Sequence, residues 1–95
     1  MRIVLNAGDP PFDDSEKLDL IMYPNPANNT VTINGNFNGT AVVKIYTMNG
    51  ALALSAGKID NNALIDVSRL ANGIYIYRVL ADQRLAVGKL IKQNN

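Results

Sequence analysis

Seven short apolar runs, separated by polar or glycine-bearing links, make up most of the chain. The runs are rich in β-branched and aromatic residues, and none keeps the spacing of an amphipathic helix over ten residues. The pattern therefore predicts β-strands rather than helices. The predicted strands comprise residues 19–23, 30–34, 41–47, 51–58, 63–67, 74–81 and 85–92.

Four of the seven glycines directly follow an asparagine. Both residue types tolerate positive φ, so an Asn-Gly pair between apolar runs signals a turn, most often that of a hairpin. The four pairs are Asn34-Gly35, Asn38-Gly39, Asn49-Gly50 and Asn72-Gly73. Seven short strands with turns between them and no intervening helices predict an all-β fold, a seven-stranded antiparallel immunoglobulin-like β-sandwich.

Alternation within the runs indicates which side chains face the core. The run 74–81 is apolar at both sets of alternating positions, which favours a central strand with cover on both faces. Alternation and the turn that precedes this run predict that four side chains are buried: Ile45, Leu70, Tyr75 and Val79.

Residues 1–16 differ in kind from the rest of the chain. Residues 2–5 have the pattern of a last strand of an upstream region, and the following acidic segment with Pro10 and Pro11 predicts an extended linker. A single domain is expected over residues 17–95. Because the beginning of the sequence has no signal-peptide pattern, we expect any export signal to lie on a longer chain.

Charge and composition exclude several functions. Five carboxylates against two cations give residues 1–19 a net charge of −3, and five cations against one carboxylate give residues 69–95 a charge of +4. That basic excess is too sparse for a nucleic-acid-binding face. The chain has no cysteine or histidine, and its serines have no base at a suggestive spacing. We expect no enzymatic activity, no cofactor, no metal and no small-molecule substrate.

Two prolines one residue apart follow the first predicted strand, in the segment Tyr23-Pro24-Asn25-Pro26-Ala27. Each proline fixes its own φ and removes a backbone donor, and each disfavours helical backbone in the residue before it. The segment therefore predicts a stiff bend at which strand pairing stops.

The segment 66–75 predicts a corner between the two sheets. Asp66 and Ser68 are suited to hydrogen-bond nearby amides, Leu70 to fill the core, and Gly73 to adopt the positive φ that starts the next strand. A tyrosine at position 75, just inside that strand, resembles the tyrosine corner of immunoglobulin-like sandwiches.

The order and spacing of four motifs resemble a known family, the C-terminal sorting domains of type IX secretion substrates, also called the Por secretion system, type A. The motifs cover roughly residues 18–93. They are residues 23–27, Val43-Lys44-Ile45-Tyr46 before Asn49-Gly50, the corner 66–75, and Lys89-Leu90-Ile91-Lys92. Thr47-Met48 departs from the family, which often has an aspartate after the tyrosine, and Gly88 inside the last strand predicts a bulge or a close approach of another backbone.

The resemblance implies a signal domain that carries an upstream cargo across the outer membrane and is then removed. Its partners would be the outer-membrane translocon with associated shuttle proteins, and a sortase-like surface protease that cuts between Asn6 and Lys17. The domain would pass through the periplasm to the cell surface or the medium. The residues implied in recognition are Pro24, Asn25, Pro26, Gly50, Gly73, Tyr75 and the two lysines Lys89 and Lys92, whose charges are expected at the surface.

An adhesive or carbohydrate-binding accessory domain is the alternative. Sugar-binding sandwiches usually expose a row of aromatic side chains, whereas this chain has no tryptophan and only six phenylalanines and tyrosines. Most of these lie within predicted strands, which favours the sorting domain.

Overall fold

The computed structural model describes residues 18–94, which form seven β-strands. The expectations for the upstream strand, the linker and the cleavage region all concern residues 1–17 and lie outside the described residues. The strands are β1 Leu20–Tyr23, β2 Thr30–Gly35, β3 Thr40–Thr47, β4 Leu52–Asp60, β5 Leu64–Asp66, β6 Gly73–Ala81 and β7 Arg84–Lys92. Their bounds differ from the sequence-based ones by at most two residues.

Two antiparallel sheets build the fold. The smaller sheet has the order β1-β2-β5, and the larger has the order β4-β3-β6-β7. Their apolar faces enclose one core, so the prediction of an all-β, seven-stranded sandwich is confirmed. Within residues 18–94, no helix is long and apolar enough to cross a membrane.

Alternating side chains from both sheets form the core. Val31 and Ile33 enter it from β2, and Val43 and Ile45 enter it from β3, all four completely buried. The predicted burial of Ile45, Leu70, Tyr75 and Val79 is confirmed. Burying an aliphatic side chain of this size contributes about 1.5 to 3 kcal/mol, so these inward positions hold the sheets together.

The position of β6 is central, as its sequence predicts, since it pairs with β3 on one side and β7 on the other. The expected cover on both of its faces is wrong. Ile74 and Leu80 on the outer face are 48% and 51% exposed. In a two-sheet sandwich each sheet has one inner face, and no described element lies across the outer one.

Only one of the four Asn-Gly pairs closes a hairpin. Asn49-Gly50 lies in the β3–β4 turn, where Gly50 has φ 93° and its amide donates to the Thr47 carbonyl over 2.9 Å. Gly39, at φ 76°, lies in the connection from β2 to β3, which crosses between the sheets. Asn34-Gly35 is not a turn, because both residues belong to β2 and pair with β1.

Gly35 has a different reason to be glycine. A Cβ there would lie 2.8 Å from the Asp19 carbonyl oxygen, closer than real Cβ atoms approach. The residue therefore permits close backbone contact rather than a reversal of the chain.

The side chain of Tyr77 explains the glycine inside β7. Gly88 pairs with Tyr77 in a continuous register, so the predicted bulge is wrong. The close neighbour is an aromatic ring rather than another backbone. A Cβ on Gly88 would lie 2.7 Å from Tyr77 Cε2 and nearer still to the Cζ and Oη atoms. The ring fills the space that the glycine leaves, and burial raises the pKa of the Tyr77 hydroxyl.

Gly88→Ala should therefore destabilise the domain. Because the Tyr77 ring would have to shift within the core, we expect the free energy of unfolding to fall by about 1 to 3 kcal/mol in chemical denaturation. The matched control is Gly57→Ala in β4, where an added Cβ meets nothing within 4 Å. Equal stability of the two variants would show that the ring does not depend on the glycine.

Candidate functional site

The outer edge of β7 is covered by the segment that follows β1. The Asn25 Nδ2 atom donates to the Lys89 carbonyl over 2.8 Å, and the Ile91 amide donates to Asn25 Oδ1 over 2.9 Å. One asparagine side chain thus supplies the donor and the acceptor that a neighbouring strand would offer.

Ala27 continues this pairing along the same edge. Its amide donates to the Ile91 carbonyl over 2.7 Å, and its carbonyl accepts from the Gln93 amide over 2.8 Å. The two bonds form a parallel bridge between Ala27 and Lys92. We call the contacts of Asn25 and Ala27 with residues 89–93 the edge clasp. Unpaired strand edges can pair with other chains, and the clasp covers this edge of the larger sheet.

The two prolines give the clasp its shape. Pro24 and Pro26 have no amide hydrogen, so between them only Asn25 has a backbone donor, and its side chain makes the contacts instead. Both Xaa-Pro peptide bonds of the segment are cis. The prediction that β1 pairing stops here is confirmed, since β1 ends at Tyr23. The new pairing with β7 has no local signal in the sequence, because its partners lie more than sixty residues apart.

The predicted corner has the expected geometry. The Tyr75 hydroxyl donates to the Ala71 carbonyl over 2.6 Å, Leu70 is buried, and Gly73 has φ 155°. The Ser68 amide donates to Asp66 Oδ1 over 2.9 Å. Hydrogen bonds from the Ser68 side chain and then its amide hold the pKa of Asp66 below its usual value, and nearby Arg69 adds to the shift.

The corner joins the end of the last strand. The Asn94 amide donates to Asn72 Oδ1 over 2.9 Å, and Gly73 pairs with Lys92. The Pro24–Pro26 bend, the corner and residues 89–94 therefore meet at one end of the sandwich. In the sequence Asn72 was noted only as part of an Asn-Gly turn signal and Asn94 was not singled out, since their neighbours give no sign of a distant partner.

Gly50 lies at the same end but outside the clasp. Thr47 pairs with Tyr75, and Tyr75 pairs with Leu90, so the β3–β4 turn is level with the end of β7. Because β3 and β6 separate the turn from β7, Gly50 shares an end of the molecule with the clasp and does not contribute to it.

The two lysines of the last strand have different environments. Lys89 points outward and is exposed, as expected, whereas Lys92 is only 1% exposed, so its predicted surface position is wrong. Alternation in β7 places Lys92 on the inner face with Leu90. Its aliphatic stem is buried at the end of the core, and Nζ donates to Asn94 Oδ1 over 2.6 Å.

The geometry of this end suits recognition by contact. The polar groups at the clasp are backbone amides, carbonyls and carboxamides, whose partners are already in place. Among residues 18–94, no group of three histidine, cysteine, aspartate or glutamate side chains could hold a metal ion. The site is a surface assembled from distant parts of the chain.

A family comparison identifies the domain. Residues 21–93 match the model of the secretion system C-terminal sorting domain, and the match covers both halves of the clasp, the corner and the β3–β4 turn. The chain belongs to this family. The sorting domain is a signal that directs secretion of an attached cargo by the type IX, or Por, system, and the family is not enzymatic. A search of curated proteins found no match.

Membership defines what the sorting domain contacts and where it is sent. It interacts with the secretion machinery and is fused to its cargo. Its destination is the cell surface or the exterior. The edge clasp therefore lies in a domain whose task is to be recognised.

Asn25→Ala should open the clasp without removing core. The Ile91 amide and the Lys89 carbonyl would lose their partner, so we expect a loss of about 1 to 3 kcal/mol in unfolding free energy and faster hydrogen exchange at Ile91. Asn28→Ala, an exposed asparagine three residues along, is the control. Unchanged exchange at Ile91 in the Asn25 variant would contradict the role of its side chain.

Charge reversal should destabilise the domain at one of the two β7 lysines and not at the other. Lys92→Glu would bury a carboxylate without a cation and should cost about 2 to 5 kcal/mol, whereas Lys92→Met keeps the buried stem and should cost less than about 1.5 kcal/mol. Lys89→Glu should change stability by no more than about 0.5 kcal/mol, because its side chain is in water. Thermal unfolding of the three variants tests this order, and a stable Lys92→Glu protein would contradict it.

Proposed function

We propose that this is a type A sorting domain and that the secretion machinery reads the folded end of the sandwich at the edge clasp. The observation that carries the proposal is that residues 89–94 contact both residues 24–27, through the clasp, and the 71–75 corner. A partner touching this end meets all three motifs at once. The partners proposed are the outer-membrane translocon and its shuttle proteins, met in the periplasm.

Within this surface the proposed roles are of two kinds. Lys89 is exposed beside Asn25 and offers a cation for direct contact. Pro24, Asn25 and Pro26 form the surface itself. Gly73, Tyr75 and Lys92 act indirectly, since Tyr75 and Lys92 are buried and hold the corner and the strand end in position. Gly50 would mark the far side of the same end.

The cleavage expected of the family fits the organisation of the sequence. The domain would comprise residues 17–95, and a sortase-like protease would cut the acidic, proline-containing linker between Asn6 and Lys17. Extended backbone outside a sheet is what protease clefts accept. The cargo would then be released or retained at the surface.

The carbohydrate-binding alternative is disfavoured by the aromatic residues. Phe37, Tyr75 and Tyr77 are buried, and Tyr46 is half-buried. Among the described residues only Tyr23 is a largely exposed aromatic, at 43%. One ring does not make the row on which sugars stack.

The role of Lys89 is testable with a cargo protein fused in front of the whole chain. Lys89→Glu should leave the melting temperature unchanged and reduce export severalfold, with the cargo accumulating in the periplasm. Lys58→Glu is the matched control, because Lys58 is also an exposed lysine but lies in β4, at the opposite edge of the sheet. Cell fractionation and immunoblotting give the readout.

Two further results decide the proposal. If Lys89→Glu is exported as well as Lys58→Glu, the exposed cation has no part in recognition. Folded Asn25→Ala protein that is exported normally would place the recognised surface elsewhere in the domain. The double reversal of Lys89 and Lys92 is not a suitable test, since Lys92→Glu acts through folding.

A further inference from the structure

The outer face of the larger sheet carries a groove that the fold leaves open. Its volume is about 270 Å³. The groove runs across three adjacent strands, from β7 over β6 to β3, and is lined by Leu85, Leu80, Arg78, Val42, Lys44 and Tyr46. Register explains its composition. Val42, Leu80 and Leu85 form one cross-strand row, and Lys44 and Arg78 pair in the row beside it. The groove is thus apolar on one side and cationic on the other.

The charge of this face has one sign. Lys44, Arg78 and Lys89 point outward from β3, β6 and β7, and none of the outward-facing residues of these three strands is an aspartate or glutamate. The carboxylate at the nearby β6–β7 turn, Asp82, already accepts from the Asn38 amide and pairs with Arg84. Asp60 lies at the end of the edge strand β4. The groove therefore favours an acidic occupant that also carries an apolar group.

The chain itself enters the described structure beside this groove. The Leu18 amide donates to the carbonyl of Leu85 over 3.4 Å, and Leu85 forms the β7 end of the groove. Immediately upstream are four carboxylates, at Asp9, Asp13, Asp14 and Glu16, with Phe12 among them. The negative charge of this segment, its phenylalanine and the position of Leu18 beside Leu85 all match the groove.

We propose that residues 9–16 of this chain dock across the groove, with Phe12 over the Val42–Leu80 row and the carboxylates toward Lys44 and Arg78. The reach is sufficient. Phe12 and Leu18 are six Cα-to-Cα steps apart, which span about 20 Å when extended, whereas β7 and β3 are two strand spacings, about 10 Å, apart. Tethering raises the effective concentration of the segment, so docking needs little intrinsic affinity.

This inference goes beyond the proposed function, although its consequence rests on it. Docked residues would occupy the region where cleavage is expected, so the domain would shield its own processing site until a partner displaced the segment. The docking can be measured without any secretion assay, and its failure would leave the role of the clasp untouched.

Paramagnetic relaxation enhancement on the full chain tests the docking. Because the chain has no cysteine, Ala7→Cys gives a unique site for a nitroxide label. We expect the amides of Val42, Lys44 and Leu80 to lose most of their peak intensity, while those of Thr32 and Leu64 on the other sheet keep theirs. The loss should disappear in Arg78→Glu and in Phe12→Ser, and persist in Lys58→Glu. It should also disappear near 1 M salt, where the Debye length is about 3 Å.

The alternatives give different results. Equal intensity at all five amides would overturn the proposal. Broadening that appears when labelled, isotopically unenriched protein is mixed with unlabelled, enriched protein would overturn it too, since the occupant would then be a second copy. Broadening that survives Phe12→Ser and high salt would mean that the linker merely passes near the sheet.

Discussion

The larger sheet ends at β7, and another part of the chain supplies hydrogen bonds to that strand's outer edge. Asn25 and Ala27 provide four of these bonds, two through a side chain and two through the backbone. The carboxamide of Asn25 substitutes for a peptide group at a point where proline on either side offers no donor. The contacts of the corner with the last strand depend on that pairing. Once β7 is held, Gly73 and Asn72 have a fixed partner in residues 92–94.

Holding β7 in this way turns scattered motifs into one surface. The bend, the corner and the terminal strand are distant in the sequence, yet they contact one another through backbone groups and carboxamides rather than through ion pairs. Such contacts depend little on salt. Lys92 contributes by filling the end of the core with its aliphatic stem. One of the basic residues near the end of the sequence is therefore a structural residue and not a surface charge.

The alternation of apolar and polar residues predicted most of the strands and most of the core. Ile45 and Val79 could be assigned to the core because strand alternation is a property of neighbouring residues. The same rule, applied to Leu90, would have placed Lys92 inward, and its charge was the misleading feature. By contrast, the contacts of Asn25 and Asn72 depend on which strands meet in three dimensions, and nothing in their neighbours encodes that. The turn predicted at Asn34-Gly35 was wrong for the same reason, since the sequence does not show that Gly35 is needed for close contact with the Asp19 backbone.

The pairing of an early segment with the last strand has a consequence in time. Synthesis proceeds from residue 27 toward residue 93, and the bridge between Ala27 and Lys92 needs both ends of that interval. Four of the five strand pairings can form without β7, but the clasp cannot. A chain that ends before residue 89 retains the Pro24–Pro26 bend and the corner but cannot form the clasp. If the secretion machinery reads the clasp, as proposed, a cargo is accepted only when its sorting domain is intact through residue 93.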